Sequence, residues 1–150
     1  MGYMYLHTNG DLIYKPHAEA TDLRESDFVR AFWRIDPRER LTAWDCVVGA
    51  TLLVGPDNKR VQELIATWGL TDKDAAHHEA ACGVTVSMDG NMWCATGPGF
   101  TNLQESPAGF GESHLLAIVD LCRKGDYAPR KLWGEPASTW LRKCTGTSPL

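Results

Sequence analysis

The chain has 150 residues, a net charge of −4 and an isoelectric point near 5.7. That balance excludes a broad basic footprint for nucleic acid, whose phosphates demand an excess of Lys and Arg. The length suffices for one domain that buries roughly 70% of its unfolded surface, so no metal or disulfide staple is required for a core.

Residues 3 to 15, YMYLHTNGDLIYK, read as a β-hairpin turned at Asn9-Gly10, because that dipeptide tolerates the positive φ of a two-residue turn. The turn sets Leu6 opposite Ile13, Tyr5 opposite Tyr14 and His7 opposite Leu12. A polar connection leads to Ser26, a cap for a first helix from Asp27 to Ile35 with Phe28, Val29, Phe32 and Trp33 on one face. Asp36-Pro37 then opens a second helix to about Leu53, with Asp36 as cap and Pro37 in the first turn. Leu41, Trp44, Val47, Val48, Thr51 and Leu52 form its inner face, and Gly55-Pro56 ends it.

Residues 58 to 68 form a third helix with Val61, Leu64, Ile65 and Trp68 inward. Thr71 and Asp74 have capping-box spacing and open a fourth helix that ends at Cys82-Gly83. A second hairpin follows, with Asp89-Gly90 as its turn, which pairs Val86 with Trp93, Val84 with Ala95 and Ser87 with Met92. Val84, Val86, Trp93 and Ala95 then share one face, and Trp93 packs on the helix that follows. In the glycine-rich connection, Leu103 points inward on a short third strand, Asn102 and Gln104 point outward, and Phe100 remains as the exposed ring. Ser113 caps an amphipathic helix with Leu115, Leu116, Ile118, Val119 and Cys122 along one stripe. A last helix spans about Ala137 to Lys143, with Trp133 and Trp140 as anchors.

These elements define an α+β fold over residues 1–150 as one domain. The two hairpins and the third strand make one mainly antiparallel sheet, the helix at 113–124 crosses it, and residues 26–83 form a helical lobe. Residues 84–124 are the hairpin–loop–helix unit.

Five cysteines without a CxxC pair read as reduced thiols of a cytoplasmic protein. No leader and no long apolar run is recognisable, so no membrane is expected. The order helix, turn, helix, hairpin over residues 61–95 outlines a winged helix-turn-helix. Its reading helix would be DKDAAHHEAA, whose acids and alanines suit neither phosphates nor base edges. His78 and Cys82 share a helical face, and Cys94 can approach from the hairpin, which makes these three the candidate metal ligands. No fourth ligand is identifiable, so a buried cysteine beside surface histidines is the favoured reading, and neither metal nor another cofactor is expected. Gly109 and Gly111 could place backbone N–H groups around an anion before a helix N-terminus, but no phosphate-loop lysine follows, and a glycine run that simply turns a strand into a helix is the favoured reading. No acid/base pair or nucleophile set converges, so no catalytic residue is assigned.

The segment DGNMWCATGPGFTNLQESPAGFGES resembles a pattern of small phage and prophage proteins, in which a DGxxWCA strand precedes NLQE, AGFG and a Ser- or Thr-capped helix. Asp89, Gly90, Trp93, Cys94, Ala95, Asn102, Leu103, Gln104, Glu105, Ala108, Gly109, Phe110, Gly111 and Ser113 carry that likeness. The same layout is similar to the ribonuclease-H-like β-β-β-α unit of HicB-type antitoxins, with Gly111-Glu112-Ser113 at that family's turn. His114-Leu115 stands where the family has an acidic pair, and residues 26–83 lie outside the match. The resemblance implies a binding role without catalytic carboxylates. The expected function is therefore a phage- or prophage-type accessory protein that binds a host or phage protein. A nucleic-acid binder, antitoxin-like or winged-helix-like, and a small metal-dependent hydrolase are the alternatives. Phe100, Asn102, Gln104, Glu105, Gly109 and Gly111 are the expected contact residues.

Overall fold

The computed structural model describes residues 2–6, 12–15, 30–126 and 136–139. The fold is α+β, built from two three-stranded antiparallel sheets and four helices among the described residues. Strands β1 (Gly2–Leu6), β2 (Leu12–Lys15) and β3 (Arg30–Ile35) form the first sheet in the order β2-β1-β3. Strands β4 (Thr85–Asp89), β5 (Met92–Thr96) and β6 (Ala108–Gly111) form the second in the order β4-β5-β6. The hairpins thus lie in separate sheets, which corrects the expectation of a single one. Each hairpin finds its own third strand: β3 occupies the second edge of β1, and β6 that of β5.

The helix expected from Asp27 to Ile35 is a strand where it is described. Its last six residues, RAFWRI, pair with β1, with a register irregularity between Met4 and Tyr5. Aromatic residues in a short run that ends before Asp36-Pro37 suit a pleated strand, and a free neighbouring edge overrides weak helical spacing. Residues 26–29 lie outside the described residues, as do the Asn9-Gly10 turn, Trp133 and Trp140.

The first hairpin pairs Leu6 with Leu12, Tyr5 with Ile13 and Met4 with Tyr14, one residue away from the expected register. That slip exchanges faces. It gathers the fully buried Met4 and Leu12 with Tyr14 on one side, and the Tyr14 ring meets Trp68 edge-on at 5.1 Å.

Helix α1 (Arg40–Val54) is the centre of the core, with every residue from Ala43 to Leu52 buried. It touches β3 and the three other helices, which explains why it is apolar nearly all round. Leu41, expected inward, is exposed. The helix starts at Arg40 and not at Pro37, because Asp36 is spent on a turn. Its carboxylate accepts from the Arg38 backbone and guanidinium, and its carbonyl accepts from the Glu39 N–H at 2.9 Å. Those Arg38 hydrogen bonds hold the Asp36 carboxyl down at about 2.

Helices α2 (Lys59–Thr67) and α3 (Asp72–Cys82) follow the sequence pattern closely. Asn58 caps α2 through the Arg60 N–H, and Thr71 and Asp74 form a capping box on α3. Gly83 ends α3 at φ 70°, a left-handed position that favours glycine. Arg40 clamps this corner. Its guanidinium donates to both Asp74 oxygens at 3.1 and 3.0 Å and to the Trp68 and Gly69 carbonyls, each at 2.7 Å. The turn between α2 and α3 and the α3 cap are thereby tied to α1.

The Arg40 hydrogen bonds are the main cause holding the Asp74 carboxyl below its usual 3.8, with the Thr71 backbone N–H adding to them against desolvation. A carboxylate with a lowered folded pKa stabilises the fold above its unfolded value, and that contribution fades as pH falls through the folded value. Arg40→Ala should therefore cost more stability at pH 6 than at pH 2, as read from unfolding midpoints across that range. Asp36 titrates in the same window but in both proteins alike. A difference that stays constant with pH would count against the clamp.

Helix α4 (His114–Gly125) has the expected Ser113 cap, whose hydroxyl accepts from the Leu116 N–H. It lies across β6, β5 and β4, and its other side meets α1. Asp126, at φ 55°, closes it. The Asp126 carbonyl accepts from the Ala137 N–H, and its carboxylate accepts from the Ser138 N–H and hydroxyl, so the helical residues 137–139 are fastened there. Among the described residues no helix is long and apolar enough to cross a membrane.

Candidate functional site

Strands β4 and β5 pair Asp89 with Met92, Met88 with Trp93, Ser87 with Cys94 and Val86 with Ala95. This is two residues away from the expected register. An even shift keeps the faces, so Val84, Val86, Trp93 and Ala95 still share one side. The turn is Gly90-Asn91, with Gly90 at φ 66° and Asn91 not at positive φ. Glycine in the first central position matches the second kind of favoured hairpin turn and not the Asp-Gly kind.

Trp93 is half-buried. Its ring lies 4.2 Å from that of His114, at the start of α4. Beside the polar tip Asp89-Gly90-Asn91, two methionines are open to solvent, one on each face of the hairpin: Met88 is 53% exposed and Met92 37%. In the order β4-β5-β6, the outer edge of β4 carries no further strand among the described residues.

The connection from Gly97 to Pro107 is a self-bonded turn and not a strand. Asn102 Oδ1 accepts from the Gln104 and Glu105 N–H groups, each at 2.9 Å, and the Asn102 carbonyl accepts from the Ser106 N–H. Thr101 closes the loop through the Ser106 hydroxyl and the Glu105 carboxylate. Two expectations reverse here. Leu103, expected inward, is 64% exposed, whereas Phe100, expected as the free ring, is half-buried. The asparagine side chain turns the chain at residues 102–105, and an Asx turn has no strand alternation to tuck Leu103 beneath. Gln104 and Glu105 are exposed on this loop.

The third strand is Ala108–Gly111, and its glycines face α4. A Cβ on Gly109 would lie 2.1 Å from the Ala117 carbonyl oxygen, and one on Gly111 would lie 2.6 Å from Leu116 Cβ. Both are buried packing positions, so no partner reaches them there. The Phe110 N–H does meet an anion, but an internal one: Asp120 of α4, at 2.9 Å. Lys124 pairs with that carboxylate at 2.8 Å, and its ammonium lies 5.3 Å from the Phe110 ring centre.

The histidines give a second correction. His78 is not on the surface but 1% exposed, between α3 and α1. Its Nε2 lies 3.0 Å from Asp45 Oδ1 and 3.7 Å from Cys82 Sγ. A thiol, an imidazole and a carboxylate in one place suggest a nucleophile relay, but the geometry does not supply one. Cys82 Sγ lies 3.9 Å from Nδ1 as well, so the sulfur is nearly equidistant from the two ring nitrogens, whereas a relay needs the thiol on one nitrogen and the carboxylate on the other. Burial, with Asp45 nearby, pushes the Cys82 thiol up to about 12, and burial with Asp45 and Cys82 does the same for Cys122. Such thiols stay protonated, the reverse of an activated cysteine. Cys94 is half-buried on β5 and pairs with Phe110 and Ser87, on the sheet face away from α4. Among the described residues no three His, Cys, Asp or Glu side chains are grouped to hold a metal.

The residue after His78 makes another long-range pair. Glu79 Oε2 lies 2.7 Å from His114 Nδ1, which ties α3 to the first residue of α4. Sequence spacing held no signal for either pair, since the partners are more than thirty residues apart. The outward residues of α3 are Asp72, Lys73, Ala76, His77, Ala80 and Ala81.

Comparison with known proteins returns no matching family, no matching curated protein and no matching solved structure.

Proposed function

We propose that this chain is a non-catalytic protein-binding module, of the phage or prophage accessory type, acting in the cytoplasm on a host or phage protein. The observation that carries the reading is the open β4 edge, flanked by Met88 and Met92 at the hairpin tip. An edge strand offers unpaired backbone donors and acceptors to an incoming strand. Methionine side chains adapt to partner surfaces at low cost. The likeness of residues 89–113 to small phage proteins supports the origin.

The test is capture from a bacterial lysate by the immobilised wild-type chain, beside a Met88→Lys, Met92→Lys double variant. These side chains lie at the surface, so the variant should unfold within about 2 °C of wild type, as surface substitutions generally do. The captured protein should be lost. Equal capture by both chains would remove the hairpin as the binding surface.

A further inference from the structure

The second sheet treats its two edges differently. Along β6 the Phe110 N–H points away from β5 and is taken by the Asp120 carboxylate at 2.9 Å, while the Lys124 ammonium stands over the Phe110 ring. An edge that is capped and charged in this way rejects a further strand. Backbone groups alternate in direction along a strand, so that one bond also fixes the pattern across the sheet. Gly109 and Gly111 turn theirs toward Ala95 and Trp93. Met92, Cys94 and Thr96 therefore turn theirs toward Asp89, Ser87 and Thr85. The N–H and carbonyl groups of Val86 and Met88 are left pointing out of the β4 edge. That edge is open: Thr85, Ser87, Met88 and Asp89 are exposed, and no strand among the described residues pairs there.

We infer that the β4 edge pairs antiparallel with β4 of a second copy of this chain, about a two-fold axis at Ser87. This register overlaps the whole strand. Thr85 stands opposite Asp89 of the other copy, Val86 opposite Met88, and Ser87 opposite its own counterpart. Val86 and Met88 exchange their backbone hydrogen bonds, so every outward group of both strands is paired. Their apolar side chains meet on the α4 side of the sheet, and α4 packs mainly on β6, at the far side. Asp89, the only charge of the strand, meets a threonine, and the two aspartates lie at opposite ends of the ladder. Like charges directly opposite each other would oppose pairing, and this register avoids them. A two-fold contact closes at two copies, and the capped β6 edge prevents extension of this sheet. The contact is small, so the dimer is a weak one. The inference rests on the reading of β4 as a docking strand and names its occupant, with which a host or phage protein would compete for the same backbone groups.

The test is sedimentation velocity of the full chain from about 10 μM to 1 mM, the range of a weak contact. The average mass should rise from 16.6 kDa toward twice that value. Met88→Pro removes an N–H that points out of the edge, where proline is tolerated, and should hold the chain at the single-copy mass throughout. The register is read by cross-linking with oxidised glutathione in a Cys94→Ser background, which removes the thiol paired with Ser87 in the same chain. Ser87→Cys should give several-fold more disulfide dimer than Thr85→Cys. Its counterpart lies about 4.5 Å away between Cα atoms, whereas that of residue 85 is at the far end of the ladder, beyond disulfide reach. This comparison decides the matter if Met88→Pro does not fold. A single-copy mass at every concentration, or no excess for Ser87→Cys, overturns the inference. Lysate capture by a chain that stays monomeric removes the second copy and keeps the host or phage partner, and dimerisation without capture does the reverse.

Discussion

Gly109→Ala should unfold the protein or cost more than about 3 kcal/mol, the upper range for overpacking a tight contact. The added Cβ would sit 2.1 Å from the Ala117 carbonyl oxygen, 2.3 Å from the Leu121 nitrogen and 2.8 Å from Leu121 Cα. All three are backbone atoms of α4, so no side chain can rotate away. Relief requires the helix to lift off β6, and α4 also packs on β5 and α1. Lifting it would uncover Ala117, Ile118 and Leu121, which are fully buried. Gly99 supplies the control. A Cβ there meets nothing within 4 Å, and only its φ of 79° opposes alanine, so Gly99→Ala should cost about 1–2 kcal/mol. Denaturant unfolding of the two variants checks the contrast. Similar losses for both would mean that Gly109 owes its identity to backbone conformation and not to the close approach of α4.

The same glycines show what sequence could and could not convey. The α+β class, α2, α3 and α4 were all legible, because Asn58, Thr71 with Asp74, Gly83 and Ser113 mark helix ends by local chemistry. Spacing also placed the inward faces of α2 and α4. What escaped was set by distant partners. RAFWRI has an ambiguous period, and the open edge of β1 decided it as a strand. The two hairpins each looked like half of one sheet, since nothing local announces which third strand will arrive. Gly109 and Gly111 read as contact positions with open backbone N–H groups, whereas a helix docked flat on the strand fills that space. The faces of the second hairpin were legible although its register was two residues off, because an even shift keeps each side chain on its side.

His78→Ala should lower stability by about 3–5 kcal/mol, the range for breaking a buried hydrogen-bonded pair or emptying a well-packed site. The imidazole is fully enclosed, and its removal takes a partner from Asp45 at 3.0 Å and leaves a void against Cys82. The alternative is a histidine kept for chemistry, in which case its loss would alter activity more than folding. The geometry favours the structural role: the neighbouring thiols are held protonated, and Cys82 Sγ stands nearly equidistant from the two imidazole nitrogens, at 3.7 and 3.9 Å. His77 provides the matching surface control, since it is exposed on the same helix one residue away. His77→Ala should change stability by about 0.5 kcal/mol or less. The measurement is urea unfolding of both variants, with the dependence on denaturant checked to confirm that the folded state has stayed compact. His78→Ala matching His77→Ala would mean that the pair with Asp45 contributes nothing to holding α3 against α1.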